Sequence, residues 1–272
     1  MKFKTLAWTL LVLFSTFSLT SCDKDTEEPL ALHDVENNSL ELYYGAKGGV
    51  TIVGGDGNYS FSTESPLVKA EMTHSNYVLF EALNVGDATV TITDQSGHSC
   101  VLKIHIGYYS MNIVVAKLDA TVVGDNMTVG EQKELKEKAL ATIPVKVGGG
   151  YKFVYTGKVN SSSSAEDLNP PKNLVYIYPE TYGKEPIEGT FEKKTIYKER
   201  DGQNFSYDTY TLHYKGLNRA LLFLEYKSTG AVARSVEFRT YQLAEDLTEQ
   251  YKTDYPNVEE VYTSQVIGSM YQ

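Results

Sequence analysis

The sequence predicts a mainly β chain: a small β-sandwich over residues 33–107, then an α+β domain over 108–272 with antiparallel sheet and one or two helices. Three observations predict it. Short runs of alternating apolar and polar residues, separated by glycine turns, recur through residues 39–106, as half-buried strands require. Three more such runs, at 205–214, 220–226 and 232–241, follow one another as a meander. A single segment, 128–141, carries a helix start signal.

The chain opens on an address. Lys2 and Lys4 precede an almost wholly apolar run at residues 6–19, which is the pattern of a secretory signal. A membrane span needs about 20 apolar residues, more than this run supplies. Leu19-Thr20-Ser21-Cys22 resembles the lipobox of bacterial lipoproteins. The resemblance implies a signal peptide over 1–21, cleavage before Cys22, and acylation of the Cys22 thiol. Cleavage removes Lys2 and Lys4 and takes the formal charge from −10 to −12. Each buried CH₂ of an acyl chain contributes about 0.8 kcal/mol, so several chains hold a protein firmly on a bilayer. Residues 22–32 form an acidic tether, with Asp23, Asp25, Glu27 and Glu28. It resembles the export signal of surface-exposed Bacteroidetes lipoproteins, which implies an outer-membrane protein facing outward.

In the sandwich, strands are expected at 39–44, 50–53, 59–62, 68–72, 77–82, 88–93 and 100–106. Gly54-Gly55-Asp56-Gly57-Asn58 is a tight turn, because glycine adopts positive φ without steric cost. Asp94-Gln95-Ser96-Gly97 joins the last two strands as a hairpin. The glycine turn, the stretch Val85-Gly86-Asp87-Ala88-Thr89-Val90-Thr91-Ile92-Thr93-Asp94 and the closing hairpin together resemble a bacterial Ig-like domain. That resemblance covers about 75 residues and implies a spacer or presentation module on a cell surface.

In the second region a strand is expected at 111–118. Thr128 and Glu131 then form a capping box, opening a helix that runs to about Ala141, with Leu135, Ala139 and Ile143 on its apolar stripe. Further strands are expected at 151–159, 173–178 and 188–197, before the meander. The Ser-rich stretch 160–171 is a loop, 244–253 a short helix, and 258–266 a last strand.

Composition excludes several activities. A net charge of −10 argues against nucleic acid, whose phosphates need basic patches. Cys22 and Cys100 are the two cysteines, so an acylated Cys22 leaves no disulfide partner for Cys100, which is read as a buried, inert thiol. The five histidines have no zinc spacing, and no Gly-x-Ser-x-Gly elbow is present. The stretches at Asp94 and Asp201 lack the later glutamate of a calcium loop and read as turns. Carboxylate pairs such as Glu166/Asp167 and Glu245/Asp246 would serve a glycosidase only if folding set two carboxyls about 5–10 Å apart. No cofactor or metal is expected.

Tyrosine is what remains. The chain has 21, and 15 lie between Tyr151 and Tyr271, while Trp8, in the leader, is its one tryptophan. Tyr176 and Tyr178 share one strand face, and Tyr210 and Tyr214 share another. These four are the candidate ligand-binding residues if exposed, because aromatic rings stack on sugars and grip protein partners; the alternative is that they pack the core. The expected function is a non-catalytic surface lipoprotein, held to the membrane through Cys22, that binds an extracellular ligand, glycan ahead of protein. A structural or adhesive subunit of an envelope assembly and a lipid-anchored hydrolase are the alternatives. Cys22→Ala should abolish palmitate labelling and membrane retention; continued labelling of that variant would overturn the lipobox reading.

Overall fold

The computed structural model describes residues 28–159, 172–200, 203–229 and 237–271. The leader, Cys22, the start of the tether, the loop at 160–171, Asp201 and part of the expected 232–241 strand lie outside the described residues.

The first half is two four-stranded sheets. One has the order β1 (Ala31–His33), β3 (Lys47–Val53), β6 (Tyr77–Ala82), β5 (Val68–His74). The other has the order β2 (Ser39–Tyr43), β8 (Ser99–Gly107), β7 (Gly86–Asp94), β4 (Tyr59–Ser62). Only the β2–β8 pair is parallel. Inward residues of both sheets, among them Val50, Val78, Phe80, Val90, Ile92, Leu102 and Ile104, form one apolar cluster. Alternation produces this directly: in β7, Ala88, Val90 and Ile92 are buried and the residues between them are not. The sandwich begins two residues earlier than expected. Ala31 and Leu32, assigned to the tether, pair with Val53 and Ile52, and His33, the first residue of the expected sandwich, pairs with Thr51; a three-residue edge strand has too little pattern to be seen in sequence.

The second half is a closed barrel of eight antiparallel strands. They are β9 (Tyr109–Gly124), β10 (Gly150–Tyr155), β11 (Asn173–Tyr178), β12 (Ile187–Arg200), β13 (Gln203–Tyr214), β14 (Leu217–Thr229), β15 (Glu237–Asp246) and β16 (Val258–Tyr271). Each pairs with its neighbour in sequence, and β16 returns to β9, so the expected antiparallel sheet has no free edge. The β9–β16 register shifts around Ile267. There a Cβ on Gly268 would lie 2.7 Å from the Ala116 Cβ, so the close approach needs glycine. Such irregularities let a closing sheet bend.

Among the described residues, two helices belong to this half. α1 (Val129–Ala141) has the predicted capping box, with the Glu131 N–H donating to Thr128 Oγ1 and the Thr128 N–H donating to Glu131 Oε2. Its Leu135 and Ala139 are buried against Ala120, Val258 and Val261. The helix expected at 244–253 shrinks to α2 (Thr248–Tyr251), because β15 continues to Asp246 through pairing with β16. Tertiary ladder bonds override the helical propensity of Ala244 and Glu245.

One end of the barrel is covered by a helix. Past Val115, β9 pairs only with β16, and α1 packs on this ribbon and covers the end. The Arg219 guanidinium is pinned there, donating to both Glu245 carboxylate oxygens and to the Thr142 carbonyl just past α1. Both side chains of the pair are about nine-tenths buried. Burial works to lower the Arg219 pKa, but the Glu245 carboxylate outweighs it and holds the guanidinium above its ordinary value. Removing one partner strands a buried charge. Arg219→Ala is expected to cost roughly 3 kcal/mol in urea unfolding, and Arg219→Met with Glu245→Leu much less than that single change.

Candidate functional site

The barrel interior is packed with side chains, as an eight-stranded barrel permits. Phe153 stands edge-on to Phe191 at 5.0 Å and tilts against Tyr210 at 4.8 Å. Tyr151, fully buried, donates its hydroxyl to Gln265 Oε1 at 2.8 Å. With the core filled and one end covered, the described inward-facing residues that lead out of the core gather at the other end, the mouth.

The mouth is built by strands that run on past the core. On β12, Lys193 and Thr195 follow the buried Phe191 in steps of two, so they share its inward face. On β13, Asp208 bears the same relation to Tyr210. Lys193 Nζ lies 2.8 Å from Asp208 Oδ2, and Thr195 Oγ1 donates to Asp208 Oδ1 at 2.7 Å. The Lys193 ammonium also sits 5.9 Å from the Tyr210 ring centroid, within cation–π range. Across the rim, Phe223 on β14 stacks on Tyr241 of β15 at 5.6 Å and meets Tyr210 at 6.2 Å.

Beneath the rim the Tyr155 and Tyr210 hydroxyls lie 3.1 Å apart. Burial raises both pKa values above the ordinary phenol range, so both stay protonated. Tyr109 stands 5.3 Å from Tyr155 and is met edge-on by Tyr43 of the sandwich at 5.5 Å. An unbroken run of rings thus crosses the mouth from the sandwich to β15. It passes from half-exposed Phe223 and Tyr241, through a buried floor at Tyr210 and Tyr155, to half-exposed Tyr109. Such a surface offers ring faces for stacking and a Lys–Asp–Thr set for hydrogen bonding. Among the described residues, no group of three or more His, Cys, Asp and Glu side chains gathers as a metal site.

The four tyrosines expected to form an exposed platform are placed differently. Tyr210 and Tyr214 do share a face, but it is the inner one, and both are buried in the core. Tyr176 and Tyr178 share the outer face of β11. Tyr178 is buried, with Tyr182 at 4.7 Å, whereas Tyr176 is half-buried between Lys152 and Glu188 on the neighbouring strands. Period-two spacing says which residues share a face and not which face meets solvent. Cys22 lies outside the described residues. Glu245 and Asp246 point to opposite sides of β15, with Glu245 engaged by Arg219 and Asp246 exposed; the two cannot form a catalytic carboxylate pair. Asp94 acts as turn chemistry, accepting from the His98 N–H at 2.8 Å. Cys100 is half-buried, and burial raises its thiol pKa.

Sequence reasoning missed Lys193, Asp208, Phe223, Tyr241 and Tyr109. The available signal was their two-residue step from Phe191, Tyr210, Leu221, Leu243 and Met111.

No protein-family model matches the chain, and no curated protein matches it.

The placement makes a direct test. Tyr210→Ala should lower stability by about 3–5 kcal/mol, as for other buried aromatic truncations. Tyr176→Ala should change it by about 0.5 kcal/mol or less, as at other surface sites. Thermal and urea unfolding of the two variants measure the difference.

Proposed function

We propose that this chain is a non-catalytic lipoprotein of the outer cell surface, anchored through Cys22, that holds an extracellular glycan at the open mouth of its barrel. The observation that carries the reading is the ring-lined mouth: Phe223, Tyr241 and Tyr109 half-exposed around the Lys193–Asp208–Thr195 set. Sugars present an apolar face and a hydroxyl edge, and this surface pairs rings with charged hydrogen-bonding groups. Barrel mouths are a recurrent location for ligand sites. The packed interior favours a ligand gripped at the rim over one enclosed inside. The N-terminal sandwich is read as a bacterial Ig-like domain serving as spacer, on the strength of the Gly54–Asn58 turn and the strand that ends at Asp94.

The test is binding by the soluble chain from Lys24 onward on an array of oligosaccharides, followed by calorimetry. Tyr241→Ala should weaken binding by about 1–3 kcal/mol, by analogy with base–aromatic stacking, at nearly unchanged melting temperature. An array on which no glycan is retained would overturn the reading.

A further inference from the structure

The two ends of the sandwich have different attachments. At one end the Gly55 N–H donates to the Glu28 carbonyl, and a Cβ on Gly55 would meet the Asp94 carboxylate. The chain from the tether therefore enters where β7 ends. At the other end lie Tyr43, Tyr44 and Gly107, and there the barrel begins, with Tyr108 alone between β8 and β9. The nine residues of β8 separate these ends by about 30 Å, at roughly 3.3 Å per residue.

The junction is tight. The Val159 N–H donates to the Tyr44 carbonyl at 2.7 Å, and Lys158 Nζ lies 5.6 Å from the Tyr44 ring centroid. Gly45 has φ +82°, and a Cβ there would approach the Lys158 Cβ to 2.7 Å.

Because β9 runs away from this junction, its first residues mark the barrel end nearest the sandwich, and that end is the mouth. β12 runs the opposite way. Its last pair with β11 is Phe191 with Asn173, and Glu192–Arg200 then continue, paired with β13 alone. Fully extended, those nine residues reach about 30 Å, comparable to the sandwich. In the ring of strands β13 stands opposite β9, so this arm rises across the mouth from the sandwich and on the same side of the barrel.

The geometry points to an arm that rests on the bilayer holding the lipid, with Tyr197 in the headgroup layer and the mouth opening toward the membrane. This orientation rests on the anchored reading above. Cys22 is six residues before Glu28, so the tether spans at most about 20 Å. Tyr197 is 80% exposed, and Lys194 and Lys198 are exposed on the opposite face of the same strand. A ring with a polar tip on one face of the arm, and long cationic side chains on the other, suit a membrane–water interface.

The test couples the mature chain, carrying Cys100→Ser, through the Cys22 thiol to maleimide-bearing lipid in vesicles that also hold a headgroup quencher. A fluorescent amino acid replaces Glu199 on the arm or Val129 at the closed end, both exposed. Quenching at position 199 should exceed that at 129 several-fold, and Tyr197→Asp should cut the excess at least twofold. Equal quenching at the two positions, or stronger quenching at 129, overturns the orientation. An excess unchanged by Tyr197→Asp overturns the placing of that ring. Because the lipid is attached chemically, neither failed acylation in cells nor an empty glycan array can produce those results.

Discussion

The second half of the molecule depends on β9 pairing with β16. An open eight-stranded sheet would present two long rows of unpaired N–H and C=O groups, a template for aggregation. Joining the first strand to the last removes both rows and fixes the radius of the barrel. The joint succeeds because the register slips around Ile267 and because Gly268 lets the two backbones pass closely at Ala116. Since both strands overrun the ring, they also make the ribbon on which α1 docks, so closing the wall and covering one end are a single act. The buried Arg219–Glu245 pair then fastens the turn after α1 to β14 and β15.

A radius set by eight strands leaves no room inside the barrel. Phe153, Phe191, Tyr151 and Tyr210 fill the lumen in mutual ring contact. Expelling even one of them would forfeit several kcal/mol of packing. Past these rings, at the rim, the same inward-facing pattern continues with Lys193, Thr195 and Asp208 in place of apolar groups, which is why the proposed glycan is assigned to the rim and not to the lumen. The change from apolar to polar along β12 and β13 marks the border between core and rim.

The parts legible in the sequence were those set by near neighbours along the chain. Strands at 59–62, 77–82 and 173–178 were delimited by their own alternation and turns, and the capping box at Thr128 and Glu131 was delimited by its spacing. Lys215 and Gly216 both adopt positive φ, in the tight turn expected between two runs of the meander. Barrel closure was not legible, because nothing local in β9 says that it meets β16, more than a hundred residues away. For the same reason the ends of β12, β13 and β16 were placed short: pairing with a partner strand carries each beyond its own apolar pattern. The site suffered most. Tyr210 and Tyr214 were recognised as one face, but only the closed ring makes that face the interior, and the rim residues become a group only once five strands are brought together.

The single residue between β8 and β9 has a mechanical consequence. A pull between the tether and the barrel enters at β1, whose three residues lie antiparallel along β3, and leaves through β8. Because the load runs along the strands, the β1–β3 hydrogen bonds are sheared together and do not open one after another. With no slack at Tyr108, the sandwich transmits force to the barrel wall as a strut would, and β1, the shortest strand in the path, is where the load is carried by the fewest bonds.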